Sequence, residues 1–284
     1  MTTAATSHAA TREDETTGLA VAVDDASVSF PAPDGRLFAL QGCSLNVAAG
    51  SFTVIIGPNG CGKSTLLRLI AGLLPPGAGR VLIGDGDAAS PPRAGDPRVG
   101  LAFQQPRLLP WLTTLENVAL PLSLHGVPPA RRLSRASAAL DRVGLADAVH
   151  LHPRELSGGM AQRAGLARSL ITDPPVLLLD EPFSALDALT REAFDSGLQS
   201  LWLEQPRTLI LVTHSVPEAV RLADQVAVMT SRPGSVARLI SIDLPRPRNV
   251  DVGADSRAAE VDAAIRAALA SVHPPELAPW TGSR

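Results

Sequence analysis

The 284-residue sequence predicts an α/β fold: a parallel sheet with crossover helices, interrupted by an all-helical insert. Three observations carry this expectation. Short apolar, β-branched runs recur at residues 52–56, 176–179, 209–212 and 226–229, and helical patterns separate the later ones. A glycine-rich loop follows the first run and opens directly into a helical stretch at Lys63. Between about 106 and 170 the apolar residues recur at helical spacing.

Residues 1–18 are polar, rich in Thr and Ala, and carry Arg12, Glu13, Asp14 and Glu15 in a row, so they are expected to be a disordered lead-in. Folding is expected to begin near Leu19, with strand patterns at 19–23, 26–30, 45–47 and 52–56. Gly57 ends the last of these. The helix that follows, 63–71, stops at Gly72, with Pro75, Pro76 and Gly77 as breakers. Helices at 115–124, 130–143 and 159–170 make the insert. Helices at 188–203 and 217–223 then connect the remaining strands. The proline-rich run 244–248 closes the core. Residues 256–270 form an amphipathic helix, with Ala259, Val261, Ile265 and Leu269 on or near one face, read as a packing element. The expected organisation is a lead-in (1–18), one main domain (19–250, insert about 106–170) and a C-terminal helical extension (251–284).

Composition narrows the function classes. Hydrophobic residues are 45% and charged residues 19% of the chain, as in a globular soluble protein. Lys+Arg total 25 against 28 Asp+Glu, so no global basic field exists to hold nucleic acid, and none is expected as a partner. Two cysteines, Cys43 and Cys61, make no disulfide framework and suit a reducing cytoplasm. No apolar run approaches the roughly 18 to 20 residues that span a bilayer, and the start lacks signal-peptide order. His150 and His152 lack further ligands at metal spacing and read as a solvated loop.

Gly57-Pro58-Asn59-Gly60-Cys61-Gly62-Lys63-Ser64-Thr65 satisfies the phosphate-loop pattern in its diagnostic context, between a strand and a helix. The glycines let the backbone wrap closely, so N–H groups and the helix N-terminus face a polyphosphate. Lys63 would neutralise the β and γ charges, and Ser64 would ligate Mg2+. Cys61 occupies a variable position as a small filler. Asp180 and Glu181 end the apolar strand 176–179 at the carboxyl edge of a parallel sheet, where ligands bind in such folds. Asp180 is assigned to Mg2+ through its water shell, and Glu181 to polarising the water that attacks the γ-phosphate.

Leu156-Ser157-Gly158-Gly159-Met160-Ala161-Gln162-Arg163 resembles the signature of the ATP-binding-cassette (ABC) ATPases. Other elements of that family fall in order around it, over about residues 19–248. Gln104 resembles the Q-loop glutamine, with the adjacent Gln105 as an alternative; Ser184-Ala185-Leu186-Asp187 resembles the D-loop, and His214 the switch histidine. The resemblance implies a RecA-like P-loop domain with an antiparallel β subdomain and an inserted helical subdomain. It implies that Ser157, Gly158 and Gly159 serve ATP in trans in a head-to-tail homodimer, with Asp187 linking the two sites. Gln104 would sense Mg2+ and the attacking water, and His214 would contact the γ-phosphate. Phe30 matches the aromatic residue that stacks on adenine.

Residues 104–118, Gln-Gln-Pro-Arg-Leu-Leu-Pro-Trp-Leu-Thr-Thr-Leu-Glu-Asn-Val, resemble the ATPases of nitrate/sulfonate/taurine-type importers, as do Ser231-Arg232-Pro233-Gly234 and Asp243-Leu244-Pro245-Arg246-Pro247-Arg248. Such a protein works peripherally at the cytoplasmic face of the membrane, docks on permease subunits, and serves an external solute-binding protein indirectly. Leu108, Leu109, Pro110 and Trp111 are expected to offer an apolar cleft to a permease helix. A soluble, non-transport ABC ATPase and an export subunit are the alternatives; tandem cassettes, coiled-coil inserts or basic arms would favour the former.

Overall fold

The structure is a computed structural model that describes residues 18–33, 35–183, 188–248 and 255–272. Apart from Gly18, the lead-in lies outside the described residues, as do Ser184 to Asp187 and the ends of the C-terminal extension.

A six-stranded sheet forms the centre. In chain order its strands are β3 (Phe52–Ile56), β5 (Val99–Ala102), β6 (Val176–Asp180), β7 (Thr208–Val212), β8 (Gln225–Met229) and β9 (Val236–Ser241). Their spatial order is β5-β6-β7-β3-β8-β9, parallel except for β9, which pairs antiparallel with β8. Strands β3, β6 and β7 are buried along their whole length, as strands covered on both faces must be. Alternation sorts their side chains between two cores. Leu209 and Leu211 face a core with Phe183, Leu198 and Trp202, whereas Ile210 and Val212 face one with Leu66, Leu67 and Ile70.

The second core is closed by a smaller antiparallel sheet, ordered β2-β1-β4, from β1 (Val21–Ala32), β2 (Gly35–Val47) and β4 (Ala78–Ile83). Strand patterns expected separately at 19–23 and 26–30 are one strand with a bulge, where Asp25 takes a left-handed φ of 47° to absorb the extra residue. Strands β4 and β9 had no counterpart in the sequence reading. Both are edge strands with a wet face, so neither carries a continuous apolar run.

Seven α-helices complete the described chain: α1 (Lys63–Ile70), α2 (Thr114–Leu124), α3 (Pro129–Arg142), α4 (Gly158–Leu170), α5 (Ala188–Glu204), α6 (Val216–Leu222) and α7 (Ser256–Val272). Helices α2, α3 and α4 bury Val118, Leu122, Leu140 and Ala164 in a third core. A full capping box, Thr113 with Glu116, starts α2. Helix α7 packs on the first core through Ala258, Ile265 and Ala268, with Val261 and Leu269 against it; Ala259, expected on that face, is exposed. Arg248 from the proline-rich run is 2% exposed and donates to the carbonyls of Leu244, Val220, Ala223 and Ile242, so this run is built into the core. Among the described residues no helix is long and apolar enough to cross a membrane.

Candidate active site

Strand order brings four loops to one edge. The carboxyl ends of β5, β6, β7 and β3 carry Gln104, Asp180-Glu181, His214 and the phosphate loop respectively. The loop turns sharply at Gly60 (φ 74°) and Gly62 (φ 108°). At Gly62 a Cβ would lie 2.7 Å from the Ala39 carbonyl, so only glycine fits the close approach to β2. Lys63 is buried and its Nζ donates to the carbonyls of Gly57 (2.9 Å) and Pro58 (3.0 Å), which curls the loop round the ammonium. Leu66 N donates to the Gly62 carbonyl at 2.9 Å, so α1 starts on the loop and aims its positive end there.

Ser64 Oγ donates to Asp180 Oδ1 at 3.0 Å, although 116 residues separate them. Burial pushes the Asp180 carboxyl above the usual range; the Ser64 hydrogen bond opposes this and the Glu181 charge adds to it. A buried carboxylate beside a hydroxyl is a set of hard oxygen donors, which is what Mg2+ takes, so these residues fit that ion.

Glu181 occupies a left-handed φ of 44°, held by its N–H donating to the Val212 carbonyl at 3.0 Å. The strain aims its carboxylate between two partners. Gln104 Nε2 donates to Oε2 at 3.2 Å, and His214 Nδ1 lies 3.6 Å from the same oxygen. Of the two adjacent glutamines, Gln104 is therefore the one that meets Glu181. His214 remains largely exposed while Glu181 is mostly covered, so the imidazole is free to face a ligand above the sheet edge.

Several supports were not legible in the sequence. Thr213 Oγ1 donates to the buried Glu218 at 2.5 Å and accepts from Ser215 N, which holds the backbone on both sides of His214. The capping spacing of Ser215 and Glu218 was the available signal. Arg168 of α4 donates to the carbonyls of Pro106 (2.5 Å) and Arg107 (3.0 Å), tying the segment after Gln104 to the helix that begins at Ser157. Arg232 Nε and Nη2 donate to the Gly60 carbonyl at 3.1 and 3.0 Å, clamping the phosphate loop from outside.

Ser157 caps α4, accepting from Met160 N at 3.2 Å, and it lies exposed with Gly158 on the insert. No hydrogen bond among the described residues joins it to the phosphate loop. Phe30 stands on β1 opposite Leu37, 37% exposed. Burial raises the Cys61 thiol, consistent with a filler. Asp187 lies outside the described residues.

The segment expected to form an apolar cleft divides instead. Leu108 packs into the helical core, while Trp111 is 70% exposed. The reason is Asn117, fully buried, which accepts from Leu109 N (2.7 Å) and donates to the carbonyls of Leu109, Leu112 and Thr113. This fastening turns the loop so that one residue points inward and another outward.

A sequence model described as "ABC transporter" matches residues 40–184, half of the chain. A taurine import ATP-binding protein of Rhizobium johnstonii is 44% identical over 256 residues, 88% of this chain and 96% of that protein. An aliphatic sulfonates import ATP-binding protein of Rhodopseudomonas palustris is 50% identical over 209 residues, 74% of this chain and 71% of that one. Among solved structures, a dimeric ATP-binding cassette in a post-hydrolysis state, bound to ADP and Pi, superposes with a TM-score of 0.72 at 31% identity, covering 79% of this chain and all of that one. A phosphate loop facing paired carboxylates, a helical insert starting at Ser157, and these relatives agree: the chain belongs to the ABC transporter family and is one of its ATP-hydrolysing subunits.

Proposed function

We propose that this ATPase drives an importer for small sulfonates, of the taurine or alkanesulfonate kind. The identities to import subunits for such solutes support the substrate class. The observation that carries the mechanism is the meeting of Gln104, Glu181 and His214 at the sheet edge beside the Ser64–Asp180 pair.

The phosphate loop, residues 57–65, cradles the triphosphate with its N–H groups, and Lys63 leaves the loop carbonyls for the β and γ oxygens. Adenine stacks on Phe30. Ser64, Asp180 and Gln104 would hold Mg2+, which when bound would supply charge neutralisation to the phosphates. Glu181 accepts a hydrogen bond from the attacking water and orients it, while His214 donates to the γ-phosphate. In the ground state Gln104 and His214 both engage the carboxylate, so nucleotide binding has to redistribute these contacts.

Ser157 and Gly158 lie exposed and Gly159 half-buried at the start of α4, where a helix N-terminus favours an anion, and they complete the site of a second copy head to tail. Asp187 links the two sites. The dimer rests on permease subunits at the cytoplasmic face, with the solute-binding protein reached only through them. Residues 19–250 act as the motor, with 106–170 as the moving insert; of the extension 251–284, helix α7 (Ser256–Val272) packs on the motor's first core.

Deletion of the chain in its host tests the substrate class. Loss of growth on taurine or an alkanesulfonate as sole sulfur source, with growth on sulfate intact, is expected. Unimpaired growth on both sulfonates would overturn the assignment.

A further inference from the structure

The turn between β8 and β9, residues 230–235, lies against the outer side of the phosphate loop and touches it at three points. A Cβ built on Gly234 would fall 1.9 Å from the Cys61 carbonyl oxygen, so only glycine allows this approach. One built on Gly57 would meet the Met229 carbonyl oxygen at 3.1 Å. Arg232 Nε and Nη2 converge on the Gly60 carbonyl at 3.1 and 3.0 Å.

The turn is closed on itself. Thr230 N donates to the Ser235 carbonyl at 2.9 Å, Ser235 N to Thr230 Oγ1 at 3.0 Å, and Thr230 Oγ1 to the Pro233 carbonyl at 3.1 Å. It is also fixed to β2, because Gly234 N donates to the Ala39 carbonyl at 2.9 Å and the Gly234 carbonyl accepts from Gln41 N at 3.1 Å. Ala39 is the residue that Gly62 of the phosphate loop approaches, so loop, turn and strand meet at one place.

Arg232 also sets the inner face of the loop. In a trans peptide the C=O and the following N–H point opposite ways. With the Gly60 carbonyl drawn outward to Arg232, the Cys61 N–H is turned to the other side, where it donates to the Pro58 carbonyl at 3.3 Å and closes the loop. A loop shaped before nucleotide arrives loses less conformational freedom on binding. Helix α7 reaches the same turn: Ser231 Oγ donates at 2.7 Å to the carbonyl of Val272, the last residue of α7, where the helix itself offers no partner. Upstream, Ala258, Ile265 and Ala268 anchor α7 in the first core. Ser231, next to Arg232 in the chain, is therefore tied to a fixed point.

We infer that α7 sets nucleotide affinity through this turn: α7 holds Ser231, Ser231 keeps Arg232 on Gly60, and Arg232 keeps the phosphate loop in its binding shape. Arg232 is a positioning residue, acting through the loop backbone. This rests on residues 57–65 cradling the triphosphate, which Lys63→Ala tests separately. It gives the C-terminal helix a part in the ATPase cycle beyond packing on the core.

Steady-state hydrolysis, ATP calorimetry and hydrogen exchange on the full chain test this. Arg232→Ala should raise KM for ATP about fivefold or more, the size of one or two lost hydrogen bonds, with kcat changed less than about twofold. Its melting temperature should shift by no more than about 2 °C, and exchange without nucleotide should quicken over residues 57–65 and not across the chain. Ser231→Ala should raise KM about threefold, and should add nothing when combined with Arg232→Ala, because it acts through that residue. Arg232→Lys keeps the charge and loses the fork, so KM and loop exchange should recover together or not at all. An unchanged KM in Arg232→Ala, a loss confined to kcat, faster exchange over the whole chain, or a KM restored by Arg232→Lys while the loop still exchanges fast would overturn the inference. So would no effect of Ser231→Ala, or an effect that adds in full to that of Arg232→Ala, since either would detach α7 from the loop. If Lys63→Ala leaves ATP affinity unchanged, the cradle and this inference fall together; if Lys63→Ala weakens ATP and Arg232→Ala does not, this inference alone falls.

Discussion

Gln104 Nε2 donates to Glu181 Oε2 at 3.2 Å, which joins the loop after β5 to the end of β6 across 77 residues of sequence. The contact puts the carboxylate we assign to orienting water in touch with the segment leading into the helical insert. Arg168 then fastens the continuation of that segment, at Pro106 and Arg107, to α4. Glu181 is thus joined through Gln104 and the Pro106–Arg107 segment to α4, the helix that begins at Ser157.

Glu181→Gln should keep ATP binding and lower steady-state turnover by about 100-fold or more, because the amide keeps the shape and loses the charge that polarises water. Phosphate release, measured with nucleotide affinity on the same sample, checks this. Turnover near that of the unmodified chain would remove Glu181 from the role.

Lys63→Ala acts one step earlier. Its ammonium is enclosed by the loop carbonyls of Gly57 and Pro58, and removing it takes away the charge we assign to meeting the phosphates. Calorimetry should record ATP affinity weakened roughly tenfold or more, as expected for a charge-assisted contact of about 1.5–3 kcal/mol.

If Ser157 completes a partner's site, the Glu181→Gln chain should gain mass on ATP addition, doubling by light scattering. Ser157→Arg in the same background should keep ATP binding and abolish the gain, since a bulky side chain then occupies the pairing surface. A persistent dimer would contradict the trans role.

Trp111 and Asn117 separate docking from loop support. Trp111→Ala should leave the fold intact and weaken assembly with the permease, measured by co-purification. Asn117→Ala should lower stability by about 2–3 kcal/mol, because it strands the backbone groups of Leu109, Leu112 and Thr113. Equal assembly by both variants and the unmodified chain would make this loop ordinary packing.

Asp195 links stability to pH. It is 1% exposed, and burial followed by the Glu218 charge pushes its carboxyl up to about 7, although Arg221 lies 3.1 Å from Oδ2. One ion pair does not offset burial when Oδ1 has no partner. Because the folded state holds this proton more tightly than the unfolded chain, its contribution to stability is greatest below about pH 4 and declines as pH rises to about 7. Melting temperatures of the unmodified chain minus those of Asp195→Asn should therefore fall across that window. A flat difference would show that Asp195 does not titrate there.

The sequence by itself determined the chemistry that depends on neighbours in the chain. Lys63 and Ser64 follow their glycines within one loop, Asp180 and Glu181 end one strand, and Ser157 caps one helix, so spacing alone placed each group relative to its backbone. The buried strands were legible for the same reason: a run such as Leu177-Leu178-Leu179, covered on both faces, is apolar throughout. Edge strands β4 and β9 were not, since half of each faces water. The direction of Leu108 and Trp111 depended on Asn117 binding the loop backbone, which no apolar pattern encodes. Only the tertiary structure decided which glutamine meets Glu181, how Arg168 reaches Pro106, and why burial raises the Asp195 carboxyl. Each of those depends on strand order and helix packing, which bring together groups tens of residues apart, and an ion pair, a desolvated charge or a cavity is defined by that proximity rather than by sequence spacing.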